Sequence, residues 1–197
     1  MAILRFVENV ETDVAERKRN VRAYIKEVRA GLDNKDAKAE RMSKYVLAFL
    51  EERKQAGKNK VFVYLSFSTE ADTDGLIEEL LARGYEVYCP RIEQDGMQAV
   101  RYGEDFSLSK FGIREPVGDK LVGAPDFVIA PFLAVDKQGN RLGYGKGYYD
   151  AFFKRFPTAL RIGYGFAVQI RKNVPFDEND VKLQYVITED GIEKINE

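Results

Sequence analysis

The sequence predicts an α/β domain of three layers, α/β/α, with helices on both faces of a mostly parallel central sheet and a helical region at the N-terminus. Three observations predict it. Residues 61–67 are apolar almost throughout and rich in β-branched and aromatic residues, and residues 126–131 read as another buried strand. Residues 61–67, 74–83 and 85–90 read strand, helix, strand, which requires a parallel pair with a right-handed crossover. Two amphipathic helical patterns precede the first of these strands, over about residues 12–57.

At 197 residues, with 45% apolar residues, the chain suits one domain spanning 1–197. A net charge of −1 gives no global pull toward nucleic acid or an anionic membrane. There is no histidine, which excludes Ser-His-Asp and Cys-His catalysis and imidazole metal sites. A lone cysteine, Cys89, allows no internal disulfide, suits a reducing compartment and reads as a buried structural thiol. Any metal is then a hard cation on oxygen ligands. Glu8, Glu11 and Asp13 do not suit a signal peptide, and no run reaches the roughly twenty apolar residues of a spanning helix. The expectation is a cytoplasmic monomer with small-molecule partners.

Residues 1–11 form a lead-in. A helix is expected from there, capped by Thr12 or Asp13, with Val14, Val21, Tyr24/Ile25, Val28 and Leu32 as its apolar stripe and Gly31 at its end. Its other face is basic: Arg17, Lys18, Arg19 and Arg22. A second helix is expected over 36–56, burying Met42, Tyr45, Val46, Phe49 and Leu50, and ended by residues 57–60. The central strand 61–67 exits into residues 68–73, where Asp72 or Thr73 caps the helix 74–83. Glu70 lies where parallel sheets present ligand groups. Strand 85–90, a polar turn over 91–95, a short strand over 97–102 and an irregular stretch over 111–116 come next. Strand 126–131 then leads through residues 132–140 to RLGYGKGYYD, residues 141–150.

In that stretch Gly143, Gly145 and Gly147 alternate with bulky or charged residues, with Lys146 between two of them and Arg141 upstream. Glycines admit positive φ and a close approach of backbone N–H groups to a ligand. It is not a Walker A loop: the fifth residue after Gly139 is Tyr144, and no Ser or Thr follows Lys146. It is not the dinucleotide fingerprint either, whose third glycine would fall at Tyr148. Spacing alone suits a β-to-α turn or a phosphate cradle. The crowding of glycines and the polar atoms of Tyr148, Tyr149 and Asp150 favour the cradle. A helix to about Pro157, a strand over 160–166 whose Gly163 and Gly165 admit a close neighbour, and a last strand over 184–188 complete the chain.

RLGYGKGYYD resembles the signature of the 5-formyltetrahydrofolate cyclo-ligase family, and further segments agree with that family in order from about Lys18 to the C-terminus. Lys18 to Arg22, with Arg19 between, resembles its Lys-x-x-x-Arg phosphate-contacting motif, and positions i and i+4 share one helix face. Glu70 matches its substrate-facing strand-end Glu, and Leu65 an apolar position on the substrate side. Residues 111–116 resemble its Gly-Ile-x-Glu-Pro segment. Residues 174–180 resemble the segment whose Asp, here Asp180, joins the Asp of Tyr-Tyr-Asp, here Asp150, at Mg²⁺. Ala151 and Asn179 replace an Arg and a His that many members carry, and about seventeen residues precede Lys18.

The resemblance implies ATP- and Mg²⁺-dependent closure of 5-formyltetrahydrofolate to 5,10-methenyltetrahydrofolate, through phosphorylation of the formyl oxygen. Lys146, Arg141 and Tyr149 are then the expected catalytic residues. Lys18, Arg19, Arg22 and the run Arg141, Leu142, Gly143, Tyr144, Gly145, Lys146, Gly147, Tyr148, Tyr149 would bind ATP. Leu65, Glu70, Tyr144, Gly145, Lys146, Gly147 and Tyr148 would meet the folate, and Asp150 and Asp180 the metal. Tyr148 and Tyr149 also suit ordinary core. A non-catalytic nucleotide or folate binder, and an ATP-independent sugar-phosphate isomerase or transferase on a similar fold, stay open. A basic-helix RNA binder fits least, given the neutral charge balance and the aromatic pattern.

Overall fold

The computed structural model describes residues 13–54, 57–109 and 112–195, so Thr12, the lead-in, Ala56 and Phe111 lie outside the described residues. A seven-stranded sheet runs in the order β11-β10-β9-β6-β1-β2-β3. Its five inner strands, β10 (Tyr185–Thr188), β9 (Leu160–Tyr164), β6 (Phe127–Pro131), β1 (Lys60–Val63) and β2 (Glu86–Glu93), are mutually parallel. The outer strands β3 (Gly96–Arg101) and β11 (Gly191–Lys194) pair antiparallel. Helices α2 (Lys35–Glu51) and α3 (Asp74–Ala82) cover one face, where Met42, Leu50, Leu76 and Leu80 pack on Val61, Val63 and Ile162. Helix α4 (Tyr148–Arg155) covers the other, where Phe152 and Phe153 meet Phe62, Val128 and Phe132. The three layers follow from strands apolar on both sides: each face must be covered.

The parallel strands set the position of the site. From β1 the chain crosses through α3 to β2 on one side, and later returns through β6 on the opposite side of β1. The order therefore reverses between β1 and β6, and the crevice beyond their carboxyl ends is where such sheets bind ligands. Two local devices shape that crevice. Thr73, the residue before α3, spends its hydroxyl on the preceding strand end: Oγ1 donates to the Tyr64 carbonyl (2.9 Å) and accepts from the Ser66 N–H (3.1 Å). The helix start is capped instead by Asp72, whose Oδ2 accepts from the Asp74 N–H (3.2 Å). Beyond β6, the hairpin β7 (Ala134–Val135) and β8 (Arg141–Leu142) turns around Asp136. Asp136 Oδ1 accepts from the Gln138 and Asn140 N–H groups, and Oδ2 from the Asn140 side chain and the Val174 N–H. Gly139, at φ +79°, closes the turn so tightly that a Cβ would come within 2.6 Å of the Leu183 carbonyl oxygen.

Several expectations are corrected. Helix α1 runs over Val14–Ala30, with Asp13 Oδ1 capping the Ala15 N–H, but it buries its apolar stripe only in part. Val14 and Tyr24 are exposed, whereas Ile25, with Val21 beside it, packs on Leu133, Leu142 and Val174, and Lys18 and Arg29 are buried with it. The helix lies against the β7 hairpin and the 3₁₀ turn Ala167–Gln169, so its inner face meets a small apolar cluster and lines the polar crevice. Helix α2 stops at Glu51, and Lys60 already belongs to β1. Residues 91–93 continue strand β2 instead of turning. Their polar groups are satisfied there: Arg91 grips Glu93 through Nε and Nη2, and the Ile92 N–H donates to Glu115 (3.0 Å). Part of the stretch read as irregular forms a two-stranded ribbon, β4 (Phe106–Leu108) with β5 (Arg114–Pro116), tied to α3 by Arg114 and Asp74. Edge strand β11 was not expected; its short polar run carries little periodic signal.

Gly163 and Gly165 have the expected close neighbour. A Cβ on Gly165 would come within 2.8 Å of the buried ring of Phe132. Gly165→Ala is therefore expected to lower stability by about 1–3 kcal/mol through overpacking. Denaturant unfolding measures this, and an unchanged midpoint would show that the ring yields.

Candidate functional site

One cavity of about 1370 Å³ opens at the β1/β6 crevice, and every site residue expected from the sequence lines it. Helix α1 supplies Lys18, Arg19 and Arg22 along one wall. The strand β8 to helix α4 connection supplies Arg141 through Asp150. Leu65 and Glu70 come from the exit of β1, and Asp180 from the loop before β10. The cavity has a cationic end and an apolar end. The apolar wall includes Leu65, Phe67, Ile92, Met97 and Ile113.

The glycines of the loop have separate physical reasons. Gly145 (φ +94°) and Gly147 (φ +70°) occupy left-handed backbone, and Gly147 leads directly into α4. Gly143 is needed for close approach: a Cβ there would meet the Arg141 Nη1 at 2.6 Å. Arg22 crosses from α1 to the loop, its Nε donating to the Gly143 carbonyl (2.9 Å), and its guanidinium packs over Gly145. Burial holds the Arg22 guanidinium somewhat below its ordinary range, against the pull of Asp180. Lys146 is exposed at the cavity rim.

The other cations are held by carboxylates. Lys18 Nζ donates to Asp177 Oδ2 and Asp180 Oδ2, both at 2.6 Å. Burial pulls the Lys18 ammonium down, but the bonds and charges of the two aspartates outweigh it and leave it above its usual value. Its bond lowers Asp177 below the ordinary carboxylate range. Arg141 is buried and pairs through Nη2 with Asp150 Oδ2 (3.1 Å), while Nη1 reaches the Pro131 carbonyl and Nε has no partner. The guanidinium also lies 5.3 Å from the Tyr149 ring centre. Tyr149 packs between Phe62 and Phe153, and burial pushes its phenol well above the usual value. Tyr148 packs partly on the α4-side core, so both tyrosines serve the core and the cavity wall together.

Glu70 is half-buried at the apolar end. Burial raises its carboxyl above the ordinary range, against the Phe67 N–H (3.0 Å to Oε2), the charge of Arg29 and a hydrogen bond from Tyr144. The Tyr144 phenol is itself pushed up to about 12, by burial and then by the charge of Glu70. Lys26 lies 5.4 Å over the Tyr144 ring.

Asp150 and Asp180 come to one wall because Asp150 Oδ1 accepts from the N–H of Val181 (3.1 Å), the residue after Asp180. Among the described residues no group of three or more carboxylates, thiols or imidazoles forms a metal cage. Two carboxylates beside a cationic loop do suit Mg²⁺, which keeps several waters and shares its shell with phosphate oxygens. Sequence reasoning passed over Lys26, Asp177, Lys154 and Arg29. Arg29 was within reach: it lies seven residues after Arg22, on the same helix face.

Comparison with known proteins places these features. A family model described as the 5-formyltetrahydrofolate cyclo-ligase family matches residues 14–189. The chain is 31% identical over 150 residues to the mouse 5-formyltetrahydrofolate cyclo-ligase, covering 67% of this chain and 74% of that one. It is 29% identical over 181 residues to the Haemophilus influenzae enzyme of the same name, covering 85% and 95%. The solution structure of Aquifex aeolicus 5,10-methenyltetrahydrofolate synthetase superposes with a TM-score of 0.79 at 28% identity, over 91% of this chain and 93% of that one. With the glycine loop, the Lys18 to Arg22 helix face and the strand-end Glu70 in one crevice, the chain belongs to the 5-formyltetrahydrofolate cyclo-ligase family.

Proposed function

We propose that this protein is an ATP- and Mg²⁺-dependent 5-formyltetrahydrofolate cyclo-ligase, converting 5-formyltetrahydrofolate to 5,10-methenyltetrahydrofolate with release of ADP and phosphate. The observation that carries this reading is the meeting, in one cavity, of a cationic glycine loop with an apolar wall beside which the strand-end carboxylate of Glu70 lies. A formyl amide carbon is a poor electrophile. Its oxygen attacks the γ-phosphorus of ATP, ADP leaves, and the carbon becomes an activated imidate-type phosphate. N10 then adds to that carbon and gives up its proton, and the phosphate departs with the former formyl oxygen.

Such a transfer needs alignment and charge neutralisation more than a covalent side chain, in keeping with a chain that has no histidine. Loop N–H groups with Lys146, Arg22, Arg19 and Lys18 hold the triphosphate. Lys18 reaches it by leaving Asp177 and Asp180. Arg141, fixed by Asp150 beneath the loop, adds buried positive charge near the transferring group, and Tyr149 backs it. Leu65 and Tyr148 border the folate, and Glu70 with Tyr144 orients it. Asp150 and Asp180 would hold Mg²⁺, which supplies neutralisation of phosphate charge when bound. The lone thiol of Cys89 is buried, which suits work in a reducing cytoplasm, and the protein is read as a monomer.

The direct test supplies ATP, Mg²⁺ and 5-formyltetrahydrofolate, and follows methenyltetrahydrofolate absorbance and ADP. Omitting any one should abolish the signal, with one ADP per product; product without ATP would contradict the reading. Lys146→Ala should cut turnover about 100-fold or more at an unchanged melting temperature, as expected for a charge aimed at the transferring group. Wild-type rates would remove Lys146 from the mechanism.

The two aspartates should separate. Asp150→Asn leaves the buried Arg141 without its counter-charge and is expected to cost about 3–5 kcal/mol of stability, read by denaturant unfolding. Asp180→Asn, whose partner Lys18 keeps Asp177, should barely change stability yet raise the Mg²⁺ concentration for half-maximal rate. An unchanged magnesium titration would count against Asp180 as a ligand.

A further inference from the structure

Arg29 lies two turns beyond the phosphate-facing pair on α1 and is only 2% exposed. Its guanidinium uses two nitrogens on two separate elements. Nε donates to Thr69 Oγ1 at 3.0 Å, and Nη2 donates to the Tyr144 hydroxyl at 2.6 Å. Thr69 is the residue before Glu70, and Tyr144 lines the same cavity beside the Glu70 carboxylate, near enough for its phenol to feel that charge. One side chain thus reaches both neighbours of Glu70, the turn that carries it and the phenol that meets it. A buried guanidinium needs hydrogen-bond partners wherever it lies; here the two it takes are on the turn that carries Glu70 and on the loop facing it. A lysine cannot do the same, because one ammonium does not span two acceptors set apart as a guanidinium fork requires.

We propose that Arg29 is a positioning residue for the reaction: by holding Thr69 and Tyr144 at once it fixes the Glu70 carboxylate toward the apolar end of the cavity, where the folate is oriented. The inference rests on the cyclo-ligase reading and names the part of the chain that sets its substrate-side geometry. The nucleotide end has its own tether, the Arg22 bond to Gly143, so the two ends are separable.

The test measures KM for each substrate and kcat, with calorimetric binding of 5-formyltetrahydrofolate alone, in the full chain. Arg29→Met should raise the folate KM and Kd about tenfold or more, the worth of a charge-assisted hydrogen bond, with a much smaller change in the ATP KM. Arg29→Lys should behave like Arg29→Met, because a single ammonium does not bridge the two acceptors. Arg29→Met combined with Glu70→Gln should bind folate no worse than Glu70→Gln alone, since both changes remove one arrangement. An unchanged folate KM in Arg29→Met, a wild-type-like Arg29→Lys, or additive losses in the double variant would overturn the proposal. Should Arg29→Met fail to fold, Thr69→Val removes one acceptor and leaves Arg29 in place; it should raise the folate KM in the same sense, and no change there would also overturn it. A wild type that binds folate without turnover would defeat the activity reading while the Kd series still decides on Arg29. A wild type with no folate affinity would defeat both.

Discussion

A cation taken out of water has to be met by charge or hydrogen bonds, and that constraint organises this site. Lys18, Arg29 and Arg141 are all buried, and each is met by a different part of the chain. Lys18 is answered by the loop before β10, Arg141 by the first turn of α4, and Arg29 by the exit of β1 together with the glycine loop. Segments far apart in sequence are therefore joined at one crevice by ion pairs and hydrogen bonds as well as by apolar packing. Helix α1 is the clearest case. Its inward face carries Lys18, Arg22 and Arg29 beside the apolar Ile25, so its docking is polar and apolar together.

The sheet provides the rigid part. Reversal of strand order between β1 and β6 opens a gap at their carboxyl ends, and both ends are held in place by side chain to backbone bonds. Thr73 clamps the end of β1. Asp136 closes the hairpin beyond β6, and the Gln169 side-chain amide donates to the Phe132 and Leu133 carbonyls. The glycine loop that follows is anchored at Arg141 and by Arg22, with positive φ only at Gly145 and Gly147. A loop fixed at its base and open at its centre is suited to a ligand whose phosphates replace water on backbone N–H groups.

Much of the architecture was legible in the sequence, and the failures have physical causes. The buried parallel strands announce themselves because a strand covered on both faces must be apolar, as residues 61–63 of β1 and 127–131 of β6 are, although the expected strand over 61–67 ends at Val63. The helix after the glycine loop was equally plain. Helix α1 misled because periodicity identifies an apolar stripe but not what it packs on; here Val14 and Tyr24 face outward and cations face inward. The extension of β2 through Arg91 to Glu93 was hidden because an ion pair along the strand and a bond from the Ile92 N–H to Glu115, not an apolar pattern, hold it. The members of the site could be named from their types and order, but their pairing could not. Nothing in the spacing shows that Asp150 holds Arg141, or that Arg29 reaches Thr69 and Tyr144 across the chain.

On the proposed function the cationic end of this cavity takes a triphosphate, with Lys18 held in reserve by two aspartates. The most direct measurement is a crystal structure of the protein with a non-hydrolysable ATP analogue and Mg²⁺. The account predicts the triphosphate lying along residues 143–147, with Lys18 turned from Asp177 and Asp180 toward phosphate oxygens. A triphosphate bound elsewhere, or bound at the loop with Lys18 still paired to both aspartates, would contradict it.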